Sequence, residues 1–109
     1  MSMDTTIGVS ISNELMENYL KTLVNRFFKI LPIREQDDDS LPIYLRSLQM
    51  EVLGSQNLIT SFQNNANFIT LASILQYLID NPDCSIKAVR REVFHAISLC
   101  NKLKLTCAE

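Results

Sequence analysis

This sequence predicts an all-α fold, a four-helix bundle, and three observations carry the prediction. Apolar residues recur at helical spacing through four segments, and Pro32, the asparagine cluster at 64–67 and Pro82 divide them. Only two Gly and three Pro occur in 109 residues, too few turn formers for an all-β chain. An apolar content of 47% argues against disorder, and this length buries one core without disulfide or metal staples. The expected organisation is an N-terminal arm over residues 1–11 and a single helical domain over 12–109.

The arm, MSMDTTIGVSI, shows no helical spacing. Its Ile7, Val9 and Ile11 alternate, which leaves two readings, a frayed terminus or an extended strand laid on a neighbour. The first helix is expected over about 13–31. Ser12 or Asn13 supplies a cap, Glu14 and Glu17 complement the positive end of the dipole, and Pro32 ends the helix. Ten apolar residues between Leu15 and Leu31 cover well over half of its wheel, more than one core requires. That surplus places the helix at the centre of the bundle or shares it with another chain.

The segment 32–40, PIREQDDDS, reads as a loop. Its aspartate run lacks the alternating ligands, the Gly and the distal Glu of a calcium loop, so it reads as a solvated turn. A second helix over about 42–63 follows, with Pro42 near its start and a stripe of Leu41, Leu45, Leu48, Val52, Ser55, Ile59 and Phe62. The stripe passes Gly54 without a phase slip, although a glycine there costs about 1 kcal/mol relative to alanine and makes a kink the alternative. Ile43, Met50 and Leu53 fall off the stripe on the far side of the wheel.

A third helix over about 67–80 is capped by the asparagines and stopped by Asn81 and Pro82. It is apolar nearly all round, with a core face of Phe68, Leu71, Ala72, Leu75, Leu78 and Ile79. The fourth, over about 85–105, is capped by Asp83 or Ser85 and packs through Ile86, Val89, Val93, Ala96, Ile97, Cys100 and Leu103.

Function is less legible. Cys84, Cys100 and Cys107 form an odd set without metal-ligand spacing. The opening residues lack the basic-then-apolar pattern of a leader, so none is expected, and no apolar run reaches the roughly 18–20 residues a membrane span needs. The expectation is a cytoplasmic protein with reduced thiols and no membrane association. Residues 1–83 hold five basic and ten acidic side chains and residues 84–109 five basic and two acidic, so the last helix is the cationic part of an acidic chain.

Lys87, Arg91, His95, Ser98 and Lys102 recur along one face of that helix, with Arg90 and Lys104 beside them. Such a row can follow phosphates, but it is also what a solvated helix face paired with the acidic loop looks like. A pI near 5.3 weighs against a dedicated nucleic-acid binder. Ser73 to Arg91 resembles the first half of a helix-turn-helix unit. The apolar stripe then runs on without a break, so no recognition helix follows and a helical hairpin explains the segment as well.

No catalytic order, phosphate-binding glycine loop or zinc pair is present. The single His95 lies in the basic row, and Cys100 lies on the core stripe. The expectation is therefore a non-enzymatic interaction module without cofactor, metal or small-molecule ligand, paired with itself or acting on another protein as an adaptor or inhibitor. Val24, Phe28, Ile43, Met50 and Leu53 are its candidate interface. The alternative is a nucleic-acid-binding accessory or transcriptional regulator that uses Lys87, Arg90, Arg91, His95, Lys102 and Lys104.

Overall fold

The computed structural model describes residue 8 and residues 10–107. It is an all-α four-helix bundle, with no strand among the described residues. Helix α1 spans Asn13–Phe28 and is followed by a short α2, Ile30–Glu35; α3 spans Leu41–Leu58, α4 Ala66–Asp80 and α5 Ile86–Cys107. Most of the arm expected over 1–11 lies outside the described residues. Of those described, Ile11 packs against the core. Gly8 runs so close to the 60–63 turn that a Cβ there would collide with Thr60 Oγ1 and lie 3.2 Å from Thr60 Cα, an approach only glycine permits.

Ser12 caps α1, its hydroxyl accepting from Leu15 N at 3.1 Å. Pro32 does not end the helix as expected; it interrupts it. The missing N–H of Pro32 would have bonded Phe28 O in a continuous ladder, and the break falls there, at Lys29. The chain then resumes as α2 with Pro32 in its first turn, where no partner is needed. The connection to α3 is correspondingly shorter than expected and turns through Asp37 at φ 55°, with Asp38 Oδ1 accepting from Ser40 N at 2.9 Å.

Helix α3 runs through Gly54 without interruption, as the unbroken stripe implied. It stops at Leu58, short of 63, because Ile59 turns extended and a 3-10 turn, Thr60–Phe62, follows. Asn64 takes a left-handed φ of 60° and Asn65 caps α4, its side chain accepting from Phe68 N at 3.1 Å. Ser85 caps α5 by accepting from Ala88 N at 3.1 Å.

The four long helices form a ring in which α3 packs on α4, α4 on α5 and α5 returns to α1, while α1 and α3 stand farther apart and meet through side chains. Partners run in opposite senses: Phe28 meets Phe94 and Glu35 meets Arg90 across α1, α2 and α5. Between α1 and α3, Tyr19 pairs with Ser55, Arg26 with Glu51, and Tyr44 OH donates to Arg26 O at 2.8 Å. Ser55, a hydroxyl on an apolar stripe, is explained by that tyrosine partner.

One core fills the ring. Met16, Leu20, Leu23 and Phe27 of α1 meet Leu45, Leu48 and Val52 of α3, five residues of α4 and six of α5. Ile74 and Leu99 are buried although they lie off the expected stripes, because α4 and α5 each pack on two neighbours and bury a wider arc than a single stripe. At one end Phe62 and Phe68 stack with centroids 4.0 Å apart and Tyr19 covers them at 6.0 Å. The overfilled wheel of α1 does not make it central. It occupies a corner of the ring and leaves Leu15 and Phe28 exposed.

Candidate functional site

Every described buried residue is apolar, and burial pushes the Cys100 thiol up to about 12, Lys104 opposing weakly. Such a thiol is packing rather than nucleophile. Among the described residues no three His, Cys, Asp or Glu side chains come together to hold a metal. The expected interface and basic residues lie on the surface.

The expected interface residues separate into two surfaces. Ile43 and Met50 are each 73% exposed and Leu53 is 41% exposed, all on α3. Tyr44, Glu51 and Ser55 turn toward α1, Leu45, Leu48 and Val52 into the core, and Gln49 toward Gln76 of α4. Of the exposed positions that remain, Ile43, Ser47, Met50 and Gly54 form one outer line, with Arg46, Leu53 and Asn57 exposed as well. Nothing lies within 4 Å of a Cβ built on Gly54, so this line is open along its length.

Phe28 belongs elsewhere. It lies on the α5 side of α1, edge-to-face with Phe94 at a centroid distance of 5.9 Å and an interplanar angle of 82°. Tyr19 and Arg26 mark the opposite, α3 side of the same helix. Val24 is half-buried and packs against the core. Phe94, which completes the aromatic pair, was missed because it falls inside the basic row; it breaks the core periodicity of α5 just as Ile43 breaks that of α3.

The basic row lies on one exposed face. Lys87, Arg91, His95, Ser98 and Lys102 are exposed and Lys104 is half-buried. Two of its cations already meet carboxylates: Arg90 Nη2 lies 2.9 Å from Glu35 and Arg91 Nε 3.2 Å from Glu92. The pairing with the acidic segment is thus realised at Glu35. Both members of each pair are solvent-accessible to some degree, so each contributes at most about 1 kcal/mol.

The end of the bundle opposite the aromatic stack was not anticipated as a site. There α2, the start of α3, the end of α4 and the α4–α5 turn enclose a pocket of about 220 Å³. Its walls are apolar, with Arg34, Arg46 and the half-buried Cys84 also lining it. Beside it a second, acidic depression of about 230 Å³ is lined by Asp37, Asp38, Asp39 and Asp83 and shares Arg34 with the first. No helix of the described chain is long and apolar enough to cross a membrane. Compared with known proteins, the chain matches no family model, no curated protein and no solved structure.

Proposed function

We propose that this protein is a non-enzymatic interaction module of a reducing, cytoplasmic compartment that pairs with a second copy of itself through the outer face of α3. The observation that carries the reading is the order of side chains along that face. Ile43, Ser47, Met50 and Gly54 alternate large and small at spacings of four, three and four, over about 16 Å of helix at 1.5 Å per residue. In an antiparallel pair whose two-fold axis passes between residues 48 and 49, Ile43 of one copy opposes Gly54 of the other and Met50 opposes Ser47. Each large side chain then fills the gap a small one leaves, so a single face complements itself.

The free thiols of Cys84 and Cys100 support a reducing compartment. A single helix-on-helix contact is narrow, and this dimer belongs with transient interfaces below about 1,200 Å² of total buried surface.

Light scattering on a chromatographed concentration series tests the reading. The mass of the wild type rises toward that of a dimer and is insensitive to salt, whereas Met50→Glu and Gly54→Leu stay monomeric with helix content retained. The second variant is the sharper one, because a Cβ at position 54 meets nothing within 4 Å in its own chain, while the added side chain obstructs a second copy. A wild type that is monomeric at every concentration overturns self-pairing and leaves an adaptor or inhibitor of a different protein. Salt-sensitive binding of DNA or RNA, abolished by Arg91→Glu, would instead favour the basic face of α5.

A further inference from the structure

We infer that the pocket at the open end of the bundle is a binding site for a small monocarboxylate with an apolar body, such as an aryl or medium-chain acid. Ile30, Leu45, Leu78 and Val89 form apolar walls of the pocket, and each is itself buried, so the pocket reaches down to the core. Its volume of about 220 Å³ exceeds the roughly 150 Å³ that admits a benzene ring and falls below the roughly 300 Å³ at which drug-sized pockets begin. An occupant of one ring or a short chain fits.

The polar groups determine which end charge that occupant carries. Arg34 commits Nη2 to Cys84 O at 2.8 Å, which holds its guanidinium at the pocket with further N–H donors to spare. Arg46 also lines the pocket and, unlike Arg26 and Arg90, meets no carboxylate among the described residues. Two arginines at the border of one apolar pocket give it positive charge, and the guanidinium is the side chain best matched to a carboxylate.

The acidic depression narrows the choice further. Asp37, Asp38, Asp39 and Asp83 line the neighbouring hollow across the shared Arg34. A polyanion such as a nucleotide or phosphate ester would meet them at the common rim. A compact monoanion with its charge at the arginines and its body in the apolar walls does not.

Cys84, which lines the pocket, reports occupancy. Alkylation of Cys84 is followed by peptide mass spectrometry in the full chain, with octanoate and benzoate as probes, octanamide and benzamide as neutral counterparts, and inorganic phosphate as the polar anion, all at one ionic strength. The two acids slow alkylation at Cys84 and raise the melting temperature. The amides require about tenfold higher concentration for the same protection, as the loss of a charge-assisted contact implies, and phosphate gives none.

Arg46→Gln, which breaks no contact to a carboxylate among the described residues, weakens protection by octanoate about tenfold while leaving that by octanamide unchanged. Equal protection by acids and amides, protection by phosphate, or no protection by any probe overturns the assignment. Repeating the series in Met50→Glu, where α3 stays unpaired, keeps failure of this assignment distinguishable from failure of self-pairing.

Discussion

Replacing Gly54 with alanine should make the folded chain more stable, and the structure gives the size of the gain. Gly54 is helical, four residues before α3 ends at Leu58, and its φ is not positive. A methyl group added there meets no atom within 4 Å. The substitution therefore removes backbone freedom from the unfolded chain and costs nothing in the folded monomer. The expected gain is about 0.5–1 kcal/mol, equivalent to a rise in melting temperature of about 2–6 °C for a domain of this size.

The clean assay is urea denaturation followed by circular dichroism in the Met50→Glu background, where self-pairing cannot contribute. The midpoint should rise and the slope should not, since no additional surface is buried. A lower or unchanged midpoint would refute the claim that α3 is a regular helix open to solvent at this position. The wild-type background adds a second test. If a second copy's Ile43 seats over Gly54, the methyl obstructs it and the gain shrinks; if α3 stays unpaired, the gain is the same in both.

Other consequences can be checked on the same material. Cys100 is raised to about 12 from an ordinary 9.0, and burial also raises the Tyr19 hydroxyl. Both acids ionise more readily unfolded than folded, so stability should fall as pH rises above about 9. A urea series from pH 8 to 11 would show this, with a shallower slope in Cys100→Ala. Asn65→Ala removes the cap from α4 and should cost about 1 kcal/mol in the same denaturation assay, and a cost below a few tenths would mean the cap is replaceable. A double-mutant cycle on Phe28→Ala and Phe94→Ala should return a coupling near 0.5–1 kcal/mol for an edge-to-face pair, and zero coupling would mean the rings do not meet in solution.

Much of the fold was written in periodicity and punctuation, and the departures have local causes. The stripes of α3 and α5 located most of their buried residues, since an apolar side chain every three or four positions leaves few ways to turn a helix. The cap at Asn65 was legible because asparagine is one of the few side chains that can satisfy an open helix end. Pro32 was misread because a proline can either stop a helix or open the next one. Which occurs depended on whether 30–35 had core to pack on, and Ile30, 1% exposed, shows that it did. Ile74 and Leu99 escaped notice because the arc a helix buries depends on how many neighbours it has, a property of the assembled ring.

The candidate surfaces show the same division between local and assembled information. Ile43, Met50 and Leu53 stood out because they violate the period of their own helix, and violations can be read along one chain segment. Phe28 violates its period too, yet its partner Phe94 is 66 residues away and no local pattern joins them. The pocket is more remote still, since each of its walls belongs to a different element and no wall residue is unusual for its place.

What connects these observations is the contrast between the two ends of the bundle. At one end the 3-10 turn inserts Phe62 against Phe68 beneath Tyr19, and the close passage of Gly8 over Thr60 adds a further layer. At the other end no aromatic ring lines the hollow; its nearest large groups are the arginines, whose charged heads cannot be driven into an apolar core without a counter-ion. Pro42 and Pro82 line that opening, and their short rings leave it unfilled. A chain needing only a sealed core could have placed a leucine at position 34 or 46 and closed both ends alike. The sequence instead places guanidinium groups at that end, and this asymmetry is the strongest reason to look for a ligand there.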